Sequence, residues 1–382
     1  MDVLNPPSAE WRLLRAACSA DGAETGWRDF LSPAIEWKTV LGLAERHGVL
    51  PLLAQAFAET IPTAAFKTLR ENYQTNLHKS LFLSGELIRI LEKLSSSGIE
   101  VIPYKGLALA EIVYGDIALR QSGDIDLLIR PQDFARVRDC VRELGYTPHF
   151  TLSRSEEDAY LKSGYECAFD GTAGRNLLEV QWAIQPRFYA VDIEMEELFQ
   201  RAVPGTVAGY ETKTLCPEDL FLILAIHAAK HLWGRLIWTC DLARLSRSPT
   251  LNWKRIAAQA SDLGVVRILR VSLKLAEDLL NSPIPDEANA LLPPDVIATG
   301  LAAELASHLA NSVAFNVESV AYFRWTARLR ERRRDKIRFI SRLVFTPGPG
   351  EWALVQLPTP LFPLYRVVRV SRLAARVVQN RL

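Results

Sequence analysis

The 382-residue chain has no closely spaced pair of cysteines. Its five, Cys18, Cys140, Cys167, Cys216 and Cys240, form neither a disulfide frame nor a zinc-ligand spacing, so reduced thiols and a cytoplasmic location are expected. Long apolar runs are missing too. The most apolar stretch, "LFLILAIHAA" from Leu220, falls far short of the ~20 residues of a membrane-spanning helix. The start, "MDVLNPPSAEW", has no basic segment ahead of an apolar one, so no secretory leader is expected. The chain lacks a Gly-x-Gly-x-x-Gly opening a helix, a Walker loop and a Gly-x-Ser-x-Gly, which sets aside dinucleotide oxidoreductases and serine hydrolases. It also lacks internal repeats and low-complexity tracts.

No sign of charge dominates overall, with 45 Lys and Arg against 44 Asp and Glu. The excess is local. From Arg324 onward fourteen basic side chains face three acidic ones, Glu331, Asp335 and Glu351. Such a tail either covers the chain's own acidic parts and solvent, or meets an anionic partner such as a membrane surface or RNA.

With 49% hydrophobic and 23% charged residues, the composition is that of a globular chain with material for two or three cores. Residues 1–98 read as a helical subdomain: "AEWRLLRAACSA", the helical "IEWKTVLGLAERHGVLPLLAQAFAE" from Ile35, and a long helix from Ala64 to Ser97 carrying Leu81, Leu87, Leu91 and Leu94. Over 99–215 the period changes. "IEVIPY" reads as a strand, "GLALAEIVYG" as a short helix, "DIDLLI" as a strand and "PQDFARVRDCVRELGY" as a helix with Pro131 in its first turn. "YECAFDG" and "NLLEVQWAI" follow as strands joined by "TAGR". The helical period returns over 216–345, and 346–382 is a proline-punctuated segment ending in a basic amphipathic helix. The expected fold class is α+β, a small mixed sheet set between N-terminal and C-terminal helical subdomains.

Two aspartates interrupt the apolar strand "DIDLLI". Strand residues alternate faces, so Asp124 and Asp126 point one way while Ile125, Leu127 and Ile129 point the other. Carboxylates that close repel, and the pair is stable when it faces solvent or holds a cation; Mg2+ prefers such oxygen ligands. A strand whose solvent face carries two acids is the plain alternative. Upstream, Lys105 and Gly106 stand at a strand-to-helix transition, where free amides, a dipole end and a lysine suit a phosphate. Arg120 offers a further cation for an anion or for a neighbouring acid. Glu179 is the preferred third acid, ahead of Glu166 and Asp170, because Leu177, Glu179 and Gln181 share a strand face. His227 and His231 in "HAAKH" share a helix face with no glutamate directly after His227, so the His-Glu-x-x-His protease pattern is absent. With Lys230 and Asp241 they either line a substrate cleft or serve as structural histidines. The nine tryptophans, Trp182, Trp233 and Trp238 among them, read as packing.

The segment "YKGLALAEIVYGDIALRQSGDIDLLIRPQDFARVRDCVRELGY" resembles a nucleotidyltransferase family of the polymerase-β-like superfamily, which shows a Lys-Gly, a later Arg and an Asp-Ile-Asp-Leu-Leu strand in this order. "ERHGVLPLLAQAF", "HAAKHLWGRLIWTCDLARL" and the tail "LVFTPGPGEWALVQLPTPLFPLYRVVR" are also similar to it. The resemblance implies a nucleotidyltransferase fold in which Asp124, Asp126 and Glu179 bind Mg2+, with Mn2+ as a substitute. Lys105, Gly106 and Arg120 would steady the phosphates of a nucleoside triphosphate. It further implies transfer of a nucleoside monophosphate to an acceptor that the residues leave unidentified. Two departures stand out. Lys-Gly replaces the superfamily's Gly-Ser at a longer gap from the aspartates, and Gln181 stands where the family often has a histidine. These departures suit the alternatives, a fold-retaining binding or scaffold protein, or a phosphoester hydrolase using the same carboxylates.

Overall fold

The computed structural model describes residues 7–19, 30, 32, 34–57, 63–311, 315–316 and 319–379. The opening residues read for a leader, 1–6, lie outside the described residues. Helix α1 (Ala9–Cys18) begins where the Ser8 hydroxyl accepts the Trp11 amide at 3.1 Å. The helical stretch expected from Ile35 is two helices, α2 (Trp37–His47) and α3 (Leu50–Ala56), because Gly48 turns left-handed at φ 72° and ends the first. Helix α4 (Thr63–Ser96) follows.

The chain then alternates: β1 (Ile102–Pro103), α5 (Gly106–Tyr114), β2 (Asp124–Leu128), α6 (Phe134–Glu143), β3 (Thr147–Pro148), α7 (Arg154–Ser163), β4 (Glu166–Asp170) and β5 (Leu177–Gln181). These strands form one sheet in the order β1-β2-β5-β4-β3, with β2 and β5 parallel and the other pairs antiparallel. The first strand is shorter than "IEVIPY" suggests; Pro103 has no amide to extend the ladder. Helix α7, started by a Ser153–Glu156 capping box, and the short β3 were not legible in the sequence pattern.

Alternation along the strands sorts the two faces. Ile125, Leu127, Leu178, Val180 and Phe169 lie in one buried cluster with Leu87, Ile90 and Leu94 of α4 and Val137 and Val141 of α6. Each such buried side chain contributes about 1.5–3 kcal/mol relative to exposure. The other face carries the acids.

Beyond the sheet come α8 (Met195–Arg201) and a hairpin of β6 (Val203–Val207) and β7 (Tyr210–Thr214), turned by Ala208 and Gly209, both at positive φ. Glu111 of α5 anchors this turn by accepting the Ala208 amide and the Thr206 hydroxyl. The remainder is helical: α9 (Pro217–Lys230), α10 (Leu236–Ser246), α11 (Trp253–Leu263), α12 (Val266–Leu280), α13 (Asp286–Leu291), α14 (Val296–Ala310), α15 (Val320–Arg328), α16 (Arg333–Phe345), α17 (Pro349–Trp352) and α18 (Tyr365–Gln379). No helix among the described residues is long and apolar enough to cross a membrane.

The N-terminal and C-terminal helices bury a shared cluster. Trp11 and Leu14 of α1 belong to it together with Leu269 and Leu273 of α12, and Arg15 Nε donates to the Leu279 carbonyl at 2.8 Å. The basic tail meets the chain's own acids in part: Arg338 and Arg342 pair with Asp192, and Arg369 and Arg372 pair with Glu351.

His47 sits in this shared cluster with its Nδ1 accepting the Leu236 amide at 3.3 Å and its ring against Trp11. Protonating Nδ1 would break that bond and charge a buried ring; burial, with Arg46 and Arg235 nearby, pulls its pKa down to about 4. The unfolded chain protonates it near the ordinary 6.5, so stability is intact above that pH and falls as pH drops toward 4. The expected slope is ~1.4 kcal/mol per pH unit from this residue. In urea titrations between pH 7 and 4.5, His47→Gln should show a shallower fall than the parent. Parallel slopes would remove His47 as the cause.

Candidate active site

Parallel pairing aligns Asp124 with Leu177, Asp126 with Glu179 and Leu128 with Gln181. Aligned residues share a face, so Asp124, Asp126, Glu179 and Gln181 point the same way. Strand β4 adds Glu166, opposite Gln181. Glu166 therefore joins Glu179 on this face, whereas Asp170 lies at the far end beside His149, 3.0 Å away.

The acids are held together by two non-acidic groups. Lys105 Nζ lies 2.5 Å from Asp126 Oδ1 and 4.0 Å from Glu179 Oε2. Gln181 Nε2 donates to Asp126 at 3.1 Å, Glu166 at 3.2 Å and Glu179 at 3.0 Å, while its Oε1 accepts the Tyr104 hydroxyl at 2.5 Å. Gln181 thus places an uncharged amide, with two N–H protons, within hydrogen-bond distance of three carboxylates. Burial works against the Lys105 ammonium, yet Asp126, Tyr104 and Glu179 hold its pKa well above the usual lysine value. Glu179 is pushed up to about 8 by burial, then by Asp126 and Glu166. Asp124 is raised by burial and by Asp126.

Lys105 and Gly106 open α5, and no side chain caps that helix start. Gly106 adopts φ +54°, and a Cβ there would meet the Asp124 carbonyl oxygen at 3.1 Å. Glycine is required at this point by backbone geometry and by close approach to β2. Beside it, the Ser122 hydroxyl is buried without a hydrogen-bond partner. The sequence reading passed over Ser122, and only its burial singles it out.

Arg120 lies in a buried ion pair: Nε and Nη2 reach Asp241 at 3.2 and 3.1 Å, and the Tyr114 hydroxyl donates to the same carboxylate at 2.8 Å. Asp241, grouped in the sequence with cleft residues, is 1% exposed and engaged here, tying α10 to the segment ahead of β2. Its charge partner Arg120 remains close enough to Asp124 to oppose part of the rise in that residue's pKa.

His227 and His231 lie tilted against each other with ring centroids 4.8 Å apart, and Trp238 packs against both. Burial, then Lys105, holds His227 well below its ordinary pKa, and burial with Lys230 brings His231 down to about 3, so both imidazoles are neutral at pH 7. Lys230 Nζ donates to the Tyr165 hydroxyl at 3.1 Å, and Tyr165 in turn donates to Glu166. His227, Lys230 and His231 therefore border the carboxylate face from α9.

Among the described residues, no three His, Cys, Asp or Glu side chains are gathered so as to hold a metal ion, because Lys105 and Gln181 occupy the space between the carboxylates. The donor chemistry nonetheless suits a hard divalent cation. Asp124 has no ion pair among the described residues, and Glu179 is raised by burial and then by repulsion from Asp126 and Glu166, which a cation would relieve.

A small mixed sheet presenting these carboxylates beside an uncapped helix start, framed by helices, defines an α+β protein. The family model described as Uncharacterised nucleotidyltransferase matches residues 33–281, and the chain belongs to that family. Membership supports nucleotidyl transfer in general. The tail that also resembled the family lies beyond the matched residues. No curated protein matches the chain. The solved structure of antibiotic-resistance factor ANT(2'')-Ia is similar at 17% identity over 50% of this chain and 89% of that one, with a TM-score of 0.30, a likeness too slight to bear on fold or function.

Proposed function

We propose that the chain is a Mg2+-dependent nucleotidyltransferase that moves a nucleoside monophosphate from a nucleoside triphosphate to an acceptor. The observation that carries this reading is the alignment of Asp126 with Glu179, flanked by Asp124 and Glu166 on one sheet face, next to the uncapped start of α5. Asp124, Asp126 and Glu179 would hold Mg2+ or Mn2+. When bound, such a cation supplies Lewis-acid polarisation of phosphoryl oxygens and neutralises charge on the leaving group. The α5 amides, the unpartnered Ser122 hydroxyl, Lys105 and the Asp241-held Arg120 would receive the phosphates. The acceptor oxygen forms a bond to the α-phosphorus as the bond to the β-phosphate oxygen breaks, and pyrophosphate leaves with that electron pair. The acceptor's proton would pass to Glu179, which the charge of a bound cation would keep ionised and so able to accept it. The five free thiols, four of them buried, fit a reducing compartment such as the cytoplasm.

A non-catalytic binding protein of the same fold is favoured by one observation, the Lys105 ammonium seated on Asp126. Calorimetry with Mg2+ and each of the common nucleoside triphosphates separates the two readings. Nucleotide binding, followed by pyrophosphate release once an acceptor is supplied, is the expected result. No binding at millimolar nucleotide would decide for the scaffold.

A further inference from the structure

Alongside the carboxylate face lies a cavity of about 590 Å³. Its position follows the order of the sheet. Lys105 and Gly106, on the proposed phosphate side, connect β1 to α5; Asp124 and Asp126 lie on β2, Glu179 on β5 and Glu166 on β4. Tyr165, immediately ahead of Glu166 at the start of β4, bonds Glu166 and also lines the cavity. The cavity and the phosphate side therefore flank the carboxylates from opposite ends.

Its walls combine two kinds of surface. Rings such as Tyr165, Phe188 and Phe323 make one part apolar, and the 346–351 strap with α18 closes another, bringing in Glu351, Arg369 and Arg372. Lys230 completes the charged set. Glu351 is fully buried, and its Oε1 is shared by Arg369 at 3.3 Å and Arg372 at 2.7 Å. Three cations and one carboxylate thus line the cavity, while Lys230 also feels Glu166, Glu179 and Asp126 beyond Tyr165. His231 adds no charge, since burial and Lys230 keep it neutral. Burial pulls Lys230 down to about 8, so it still carries its proton at pH 7 in a setting that an anion would stabilise. An acceptor with an anionic group fits this balance; a cationic one does not.

We propose that this cavity is the acceptor site, and that the acceptor carries a phosphate or carboxylate seated against Lys230 and Arg372, with its apolar part on the aromatic wall. The inference rests on the nucleotidyltransferase reading for the word acceptor, but the cavity's preference for anions stands on its lining alone. It also assigns acceptor choice partly to the strap and α18, which lie outside the family-matched residues 33–281.

Calorimetry on the full chain with phenyl phosphate, phenylacetate and benzyl alcohol tests it. At least one anion should bind about tenfold or more tightly than the alcohol, and the tighter anion identifies the group. Arg372→Gln and Lys230→Met should each weaken that anion about tenfold while leaving the alcohol unchanged. Lys230→Met decides the matter if Arg372→Gln loosens the strap enough to unfold it. Equal affinity for alcohol and anions, no binding by any probe, or unchanged anion binding in the folded variants would overturn the proposal. Titration of the parent with Mg2+ and nucleoside triphosphate reports separately on the transferase reading. Nucleotide binding without anion binding sinks the acceptor site alone; anion binding without nucleotide binding sinks the transferase.

Discussion

Asp126→Asn should lower nucleotidyl transfer by at least about a thousandfold and also destabilise the fold, and a second substitution separates the two effects. Asp126 is 4% exposed and accepts from Lys105 and Gln181. Neutralising it leaves a buried ammonium whose other carboxylate, Glu179, is 4.0 Å away. Removing one partner of a buried pair costs about 3–5 kcal/mol. Lys105→Met does comparable damage in the opposite sense, since it leaves Asp126 and Glu179 to repel each other. The double variant Lys105→Met with Asp126→Asn removes both charges and should lose much less stability than the two singles added together. Guanidinium unfolding measures that coupling, and labelled transfer measures the chemistry. Transfer stays absent in the double variant if the carboxylate is required at the reacting centre. Additive stabilities would contradict the ion pair, and transfer surviving in Asp126→Asn would remove Asp126 from the chemistry.

The second large effect lies away from the carboxylates. Asp241→Asn takes the charge from a group that is 1% exposed and bonded to both Arg120 and Tyr114. Arg120 would remain buried with its countercharge gone, at a cost of about 3 kcal/mol. Thermal melting should show a clear loss, and Arg120→Met combined with Asp241→Asn should recover part of it. A change under about 0.5 kcal/mol would mean the pair is solvated, as surface pairs are. Because Arg120 stands near Asp124, the variant should also weaken nucleotide binding in the proposed reaction.

Local pattern was enough for much of the site. The two-residue period put Asp124 and Asp126 on one face and predicted that Glu179 and Gln181 would share another strand's face. That these are the same face depends on the parallel register of β2 and β5, which no local window contains. The rivalry between Glu166 and Glu179 dissolves for the same reason: antiparallel pairing of β4 with β5 brings both to the Gln181 amide. The Lys-Gly at the start of α5 was visible as a helix-opening glycine, but its left-handed φ against the Asp124 carbonyl was not.

Helical period and strand alternation by themselves determined the α+β class, and the Lys-Gly, Arg and Asp-Ile-Asp residues carried the resemblance to the family, because these signals arise from neighbours along the chain. Tertiary structure alone decided which charges are spoken for. Arg120 meets Asp241 across 121 residues and Lys105 lies on Asp126. The tail's arginines close a cavity beside strand β4. A buried charge takes whichever partner the packing of distant elements brings within reach, and sequence spacing carries no record of that choice.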